Sequence, residues 1–470
     1  MIEGLTPYRE YADSGLLPIG AIPSHWQTLR AKHLFREVDE RSVTGKETLL
    51  SVSHISGVRR RSELNANMFL AKSNAGHKLC QPNDLVINTM WAWMGALGVS
   101  PHAGIVSPAY GVYRPQQNGP LLPAFVDHIL RTPAYVAEYT MRSSGIHSSR
   151  LRLYPESFLR IPLIVPPPNE QAAIVRFLNH ANRRIDRFIR AKRKLIALLN
   201  EQKQAIIHRA VTRGLDPASS CYETGNRWFP QLPGGWEILT LRRVISGAID
   251  GPHFSPNYVD TGVPFLSARN IKTDRWSLDD AKFITEADYR EFSRRVKPEV
   301  GDVLYTKGGT TGVARAVDLT FPFQVWVHIA VLKVIRERME PSYLAYCLNS
   351  ARCYEQSQLF TRGATNQDLG LGRMKQIELP VPPDTRVQQA IVARLDAQLA
   401  EHTRAASKAE REISLIREYR TRLVADVVTG QLDVREAAAR LPDDQPEAAV
   451  EELASEADQE EDTESEEICE

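Results

Sequence analysis

Val211-Thr212-Arg213-Gly214-Leu215-Asp216 returns far downstream as Val428-Thr429-Gly430-Gln431-Leu432-Asp433, and Gly4-Leu5-Thr6-Pro7 near the start matches Gly214-Leu215-Asp216-Pro217. An element met at the start, in the middle and near the end divides a chain into two repeats, and a missed repeat would mis-assign the whole fold. Outward from it, Ile22-Pro23-Ser24-His25-Trp26 comes back as Leu232-Pro233-Gly234-Gly235-Trp236, so that Gly4 to Gly214 and Trp26 to Trp236 share an offset of 210. Pro82-Asn83-Asp84-Leu85-Val86 matches Val300-Gly301-Asp302-Val303-Leu304, and the loop 145–151 matches 363–369, both at an offset of 218. Ile161-Pro162-Leu163-Ile164-Val165-Pro166-Pro167-Pro168 reappears as Glu378-Leu379-Pro380-Val381-Pro382-Pro383, each leading into a long polar-apolar segment. The unit is one globular domain plus one long helix. Because the N-terminal segment resembles the linker that follows a helix, a pseudo-twofold molecule closing on itself is expected.

The expected organisation is a first globular domain at 1–168, a first helix at 169–210, a linker and second globular domain at 211–383, a second helix at 384–430 and an acidic tail at 442–470. From Gln171 to Arg209 there is no Gly or Pro, and apolar residues fall at Ile174, Leu178, Ala181, Ile185, Phe188, Leu195, Leu199 and Ile206, a heptad seam interrupted by Lys192 and Gln202. Prolines 166–168 are expected to stay outside the helix with Asn169 as N-cap, and Gly214 lies just past the end. About 40 residues at 1.5 Å each make a rod of roughly 60 Å. The second copy carries Ile391, Leu395, Leu399, Ala406, Ala409, Ile413, Ile416, Leu423 and Val427, a smaller and more Ala-rich seam. Packing one helix against the other in an antiparallel coiled coil would bury both stripes; the alternative is that each rod packs on its own domain. Polar seam residues such as Lys192, Gln202 and His402 are read as fixing register.

The globular domains read as α+β, with β-rich runs such as 84–88, 302–306 and 325–332 between turn clusters. Lys and Arg number 58 against 57 Asp and Glu, but residues 442–470 hold fourteen of the acids and no base, leaving +15 on residues 1–441. Arg59, Arg60, Arg61, Trp91, Trp93, His147, Ser148, Ser149, Arg150 and Arg152 in the first domain, and His253, Arg269, Asn270, Lys272, Arg275, Arg294, Arg295, Lys307, Arg362, Asn366, Gln367, Arg373 and Lys375 in the second, form a nucleic-acid inventory. Arg and Lys neutralise phosphates, and Arg, Asn and Gln can read guanine and adenine edges with two hydrogen bonds each. The loops 145–150 and 363–368 hold matching places in the repeat and are the expected base-reading surface, although a shared turn requirement explains the match equally well. Any one charged residue more often solvates a surface, and Trp91 and Trp93 are read as core.

Five cysteines without a CxxC pair read as reduced intracellular thiols, with Cys347 and Cys353 on helix faces. The opening Met1-Ile2-Glu3-Gly4 lacks signal-peptide character, and no run of about 18 apolar residues exists, so a soluble cytoplasmic protein is expected. Chemistry finds little purchase. Lys307-Gly308-Gly309-Thr310-Thr311-Gly312 lacks the Gly-Lys-Ser/Thr ending of a phosphate loop and reads as a turn. A methyltransferase would need a Gly-rich cofactor loop and an Asn/Asp-Pro-Pro-aromatic tetrapeptide, neither of which is present. A nuclease would need clustered carboxylates, whereas Asp84 and Asp302 start equivalent strands and read as turn residues. No zinc ligand set or catalytic nucleophile constellation appears.

These blocks, together with Pro167-Pro168-Asn169-Glu170-Gln171 and Gly301-Asp302-Val303-Leu304, resemble the specificity subunits of Type I restriction-modification systems across both repeats and both helices. The resemblance implies a non-catalytic subunit with two target recognition domains, each reading one half of a bipartite double-stranded DNA sequence, and paired helices acting as a ruler. It also implies that the helices dock two methyltransferase subunits, that restriction subunits can join, and that S-adenosylmethionine, Mg and ATP belong to those partners. Two positions depart from the pattern. Asn83 stands where Gly is usual, read as a loop variation, and Asp384-Thr385-Arg386-Val387-Gln388 lacks the Glu of Glu170-Gln171, read as a weakening of a helix-start capping contact that leaves the role unchanged. The acidic tail looks like an addition, read as a disordered solubilising segment that could instead shield the basic face or contact a partner. Two other readings stay open: a coiled-coil adaptor or DNA-binding protein without a methyltransferase partner, and a single-chain DNA-modifying enzyme.

Overall fold

A computed structural model describes residues 5–63, 73–117, 119–145, 151–216, 218–363 and 367–442. The chain divides into two compact units, Met1–Arg190 with Ile413–Glu470, and Ala191–Glu412. Each contains one copy of the same strand frame. In the first unit Tyr11–Asp13 pairs with Ala21–Pro23, Gln27–Arg30 pairs with Pro162–Val165, and an antiparallel sheet runs in the order Phe35–Glu37, Gly111–Pro115, Leu85–Ile87, Leu97–Val99. In the second the partners are Cys221–Glu223 with Gln231–Pro233, Glu237–Thr240 with Glu378–Val381, and Ile245–Asp250, Ile329–Val334, Val303–Thr306, Ala314–Ala316 in order. Leu85–Ile87 and Val303–Thr306 are buried at every residue, which is why they read as unbroken β-rich runs instead of alternating ones. The run 325–332 is not one strand: it breaks at Trp326, whose N–H donates to Leu266 before Ile329–Val334 begins.

Local chemistry repeats with the frame. Asp84 accepts the N–H of Gln81 at 2.8 Å and Asp302 that of Glu299 at 2.8 Å, closing the turn before each central strand. Asn83 has φ +72° where Gly301 has φ +90°, so the departure from Gly is filled by the residue type that best tolerates left-handed backbone. Lys307–Val313 is a hairpin loop closed by Thr306 and Val313, as expected of a turn. Cys347 and Cys353 sit on the helices Pro341–Leu348 and Ala351–Phe360 and are buried in the second unit's core. Trp91 and Trp93, read as core, are only half-buried, Trp91 at the start of the 3-10 turn Ala92–Met94 and Trp93 within it.

The long helices span Pro168–Arg213 and Thr385–Val428. The first starts one residue before the expected cap, because a proline at the first helical position loses an N–H that has no intrahelical partner anyway. Ile174, Phe177, Leu178 and Ala181 share the first unit's core with Leu423, Val427 and Val428, and Ile207, Ala210 and Val211 share the second's with Ile391, Leu395 and Leu399. The second helix's seam is as expected except at Ile416, which is half-buried. In the first helix Phe188 and Leu195 are 40% and 41% exposed, and Ile189 is buried instead. A straight helix drifts about 20° per heptad against a strict seven-residue repeat, about 40° over the two heptads from Ile174, which brings Ile189 as near the centre of the buried face as Phe188. The same drift buries Lys203, bonded to Asp274 at 2.9 Å, in place of Gln202.

Gln171 and Gln388, both fully buried, do the same work at the two helix starts. Gln171 accepts from Leu122 N–H and donates to Pro120 and Pro166 carbonyls, and Gln388 accepts from Glu340 N–H and donates to Arg338. The neighbouring Glu170 is not a cap. Its carboxylate, 4% exposed, accepts from His25 Nε2 (2.7 Å), Trp26 Nε1 (3.0 Å), Tyr8 hydroxyl (3.0 Å) and Arg435 (3.3 Å). Burial and the adjacent Glu170 charge push the Tyr8 hydroxyl far above its usual pKa, so it stays a donor. The position equivalent to Glu170 is Val387, which is exposed.

Thr6 pairs with Asp433, so the first unit is closed by segments from both ends of the sequence. Gly430, at φ +76°, lies against Trp26 as Gly214, at φ +69°, lies against Trp236. A Cβ at Gly430 would stand 2.3 Å from Pro23 Cδ, whereas one at Gly214 meets only a Trp236 ring carbon at 3.2 Å. Gly430→Ala is therefore expected to cost about 2–3 kcal/mol and Gly214→Ala about 1 kcal/mol, a ranking that thermal denaturation of the two variants checks. Among the described residues, no helix is long and apolar enough to cross a membrane.

Candidate nucleic-acid interface

The frames agree, but what they carry between their strands does not. The first unit inserts the hairpin Leu50–Ser53 with Gly57–Arg60 and the pair Lys78–Cys80 with Gly104–Val106. The second inserts a four-stranded sheet of Tyr258–Val259, Lys282–Ile284, Val263–Leu266 and Gln324–Val325, the last strand joining in parallel. The basic candidates are spread over these inserts and over the loops of the frame.

In the first unit Arg59 and Arg60 are exposed at the end of the inserted hairpin, Arg60 lying 3.7 Å from Glu63. Arg61 turns one guanidinium nitrogen inward, with no partner among the described residues. Arg152 is exposed and bridges Ser144, and its guanidinium lies 3.9 Å from Met90 Sδ, beside the turn that carries Trp91 and Trp93. His147, Ser148, Ser149 and Arg150 lie outside the described residues, as does Asn366.

In the second unit Arg269 and Lys272 are exposed. Asn270 between them is 1% exposed: its carbonyl oxygen accepts from Ser267 N–H and hydroxyl, and its amide donates to Ser277. These bonds hold the 3-10 turn Ala268–Asn270, which leaves the Asn270 side chain no group to offer a base. Lys307 is equally committed. It is 6% exposed and sits 2.8 Å from Asp368 and 3.5 Å from Asp250. Arg373 donates to the carbonyls of Phe360 and Asp368, both at 2.8 Å, and Leu369 N–H donates to Lys307. Arg362 and Gln367 are exposed on the loop these bonds hold, and Lys375, half-buried, follows the short helix after it.

Asp250 is the part that sequence reading missed. It binds Arg295 through both backbone and side chain and lies 3.4 Å from the exposed His253, next to Phe254, which is 62% exposed. Asp250-Gly251-Pro252 is a turn signal followed by an aromatic, which was the available clue. Burial alone would raise the Asp250 pKa, but the Arg295 hydrogen bond and the Lys307 charge outweigh it and hold the carboxyl below its ordinary range. A depressed folded pKa contributes stability that is present above the unfolded value of about 4 and lost as pH falls through the folded value. Denaturation between about pH 6 and pH 3 is expected to show a steeper loss for the native chain than for Asp250→Asn; parallel curves would disconnect this network from acid stability.

Residues 233–412 match the Type I restriction modification DNA specificity domain. The chain is 22% identical over 325 residues to the Type I restriction enzyme EcoKI specificity subunit of Escherichia coli (strain K12), covering 67% of each sequence. Its fold matches a chain from a structural study of complex assembly and conformational transition in the type I R-M system, at a TM-score of 0.58 and 16% identity over 87% of this chain and 98% of that one. The HsdS subunit from Thermoanaerobacter tengcongensis matches over the same shares at 17% identity and a TM-score of 0.39. The domain match falls on the second repeat, and the curated relative, aligned over 325 residues, extends the likeness to a Type I specificity subunit beyond it.

Proposed function

We propose that this chain is the non-catalytic, sequence-specific DNA recognition subunit of a Type I restriction-modification complex, each globular repeat reading one half of a bipartite target. The observation that carries the reading is one strand frame built twice with different inserts. A common frame presents both halves to DNA in the same way, and unlike inserts give each half its own base preference. The exposed Arg59, Arg60 and Arg152 of one unit and Arg269, Lys272, Arg362 and Gln367 of the other are the base- and phosphate-contacting groups, while Lys307, Arg373 and Asn270 hold the loops beneath them.

The two long helices, in this reading an antiparallel pair, set the distance between the half-sites. At about 1.5 Å per residue, 46 and 44 residues give rods roughly twice the 34 Å repeat of B-DNA. They also dock two methyltransferase subunits, which supply the cofactor chemistry, and restriction subunits join that complex. The exposed apolar side chains Phe188, Leu195, Leu198, Leu415 and Tyr419 on these helices suit such partners.

Deleting seven residues from both helices is expected to shift or abolish the recognised spacer while each half-site keeps its identity. Single-molecule sequencing of methylated adenines in cells with and without the gene reads both halves and the spacer. An unchanged spacer in the deletion strain sinks the ruler. Phosphate contacts should also make binding fall steeply with salt, by about 0.9 in log affinity per log salt for each phosphate neutralised.

A further inference from the structure

The first long helix carries a second heptad-spaced row besides its apolar one. Arg176, His180, Arg183, Arg187 and Arg190 follow at intervals of four, three, four and three. At 3.6 residues per turn this row lies on the side opposite Ile174, Leu178, Ala181 and Ile185, all buried in the core of the same unit. Arg183 and Arg187 are exposed, with Arg184 beside them. The row begins at Arg176, whose guanidinium donates to the carbonyls of Leu441 at 2.6 Å and Pro442 at 3.3 Å. Directly after Pro442 the sequence continues through residues 443–470 with fourteen acidic side chains and no basic one. The most acidic segment of the chain therefore leaves the described structure at the head of its basic row.

We propose that residues 443–470 dock along the row from Arg176 to Arg190, an intramolecular polyanion on its own helix face. The row is about 21 Å long at 1.5 Å per residue, a distance that six or seven extended residues cover at about 3.3 Å each, so the tail reaches its far end with most of its length to spare. Tethering at Arg176 supplies the high effective concentration that a set of individually weak surface ion pairs needs. Such a contact holds at low ionic strength and opens as salt screens it.

The test is cleavage of the full-length chain by a Glu-specific endoproteinase, followed at Glu452 and Glu456 by mass spectrometry and normalised to the free peptide 443–470. In low salt the tail is expected to be cut about tenfold more slowly than in Arg183→Glu/Arg187→Glu/Arg190→Glu, because several weak pairs are lost together. Reversing the tail charges Asp444→Lys, Glu447→Lys and Glu451→Lys in that background should restore the protection. The native chain gives a second reading without substitutions: raising NaCl from about 50 to about 500 mM should bring its cleavage to the rate of the peptide. A native tail cut as fast as the peptide in low salt overturns the proposal. So does protection that survives the triple reversal, which would place the tail elsewhere, and protection that appears only when duplex DNA or another protein is added.

Discussion

Glu170→Ala is expected to lower the unfolding free energy by about 3–5 kcal/mol, the range for removing one member of a buried ionic cluster. The loss falls unevenly over the four partners. His25 and Arg435 are 43% and 48% exposed and can return to water. Tyr8 and Trp26 are 7% and 6% exposed, so a hydroxyl and an indole N–H would be stranded without an acceptor, at about 1–3 kcal/mol each. Glu170→Gln keeps the shape and one acceptor oxygen and should cost about 1–2 kcal/mol. Val387→Ala at the equivalent but exposed position should stay within about 0.5 kcal/mol. Chemical denaturation followed by tryptophan fluorescence ranks the three. A loss below about 1 kcal/mol for Glu170→Ala would mean that Thr6 and Asp433 hold the two chain ends together without the carboxylate.

Asp84→Ala is the second large effect, expected at about 3 kcal/mol, with Asp302→Ala near 2 kcal/mol. Asp84 is 1% exposed, binds Arg114 through both carboxylate oxygens at 2.9 and 3.0 Å, and accepts the Gln81 N–H as well. Asp302 has the same turn bond but pairs with Lys333, which is 28% exposed and regains water more readily than Arg114 at 18%. If either aspartate instead served a cleavage reaction, its removal would leave stability intact. Stability and DNA binding measured on the same variants separate the two roles, because a turn residue lowers the first and leaves the second intact in the fraction that stays folded.

The features legible in the sequence are those carried by neighbours in the chain. The repeat, the helix ends at Gly214 and Gly430, and the turn roles of Asp84 and Asp302 depend on contacts within a few residues, and those stretches are copied between the halves. The misses share a different cause. Glu170 meets its partners 144 to 265 positions away, and Asp250 meets Arg295 45 positions away and Lys307 beyond that, so no local pattern marks either. Phe188 and Leu195 fit a strict heptad yet are 40% and 41% exposed, because a straight helix drifts against that repeat. Asn270 has the composition of a base-reading residue, yet a turn needed its amide first. Composition names the residue types that could meet DNA, and burial decides which of them are still available.

The two units also differ in how they are written along the gene. The second is one uninterrupted stretch, Ala191–Glu412, and can complete its core as soon as that stretch has left the ribosome. The core of the first needs Leu423, Val427, Val428 and Val434 beside Trp26 and Phe177, so its opening 190 residues must wait through the synthesis of the whole second unit. A message cut short after residue 412 would thus yield a finished second half attached to a first half that cannot close, a product for proteases to remove.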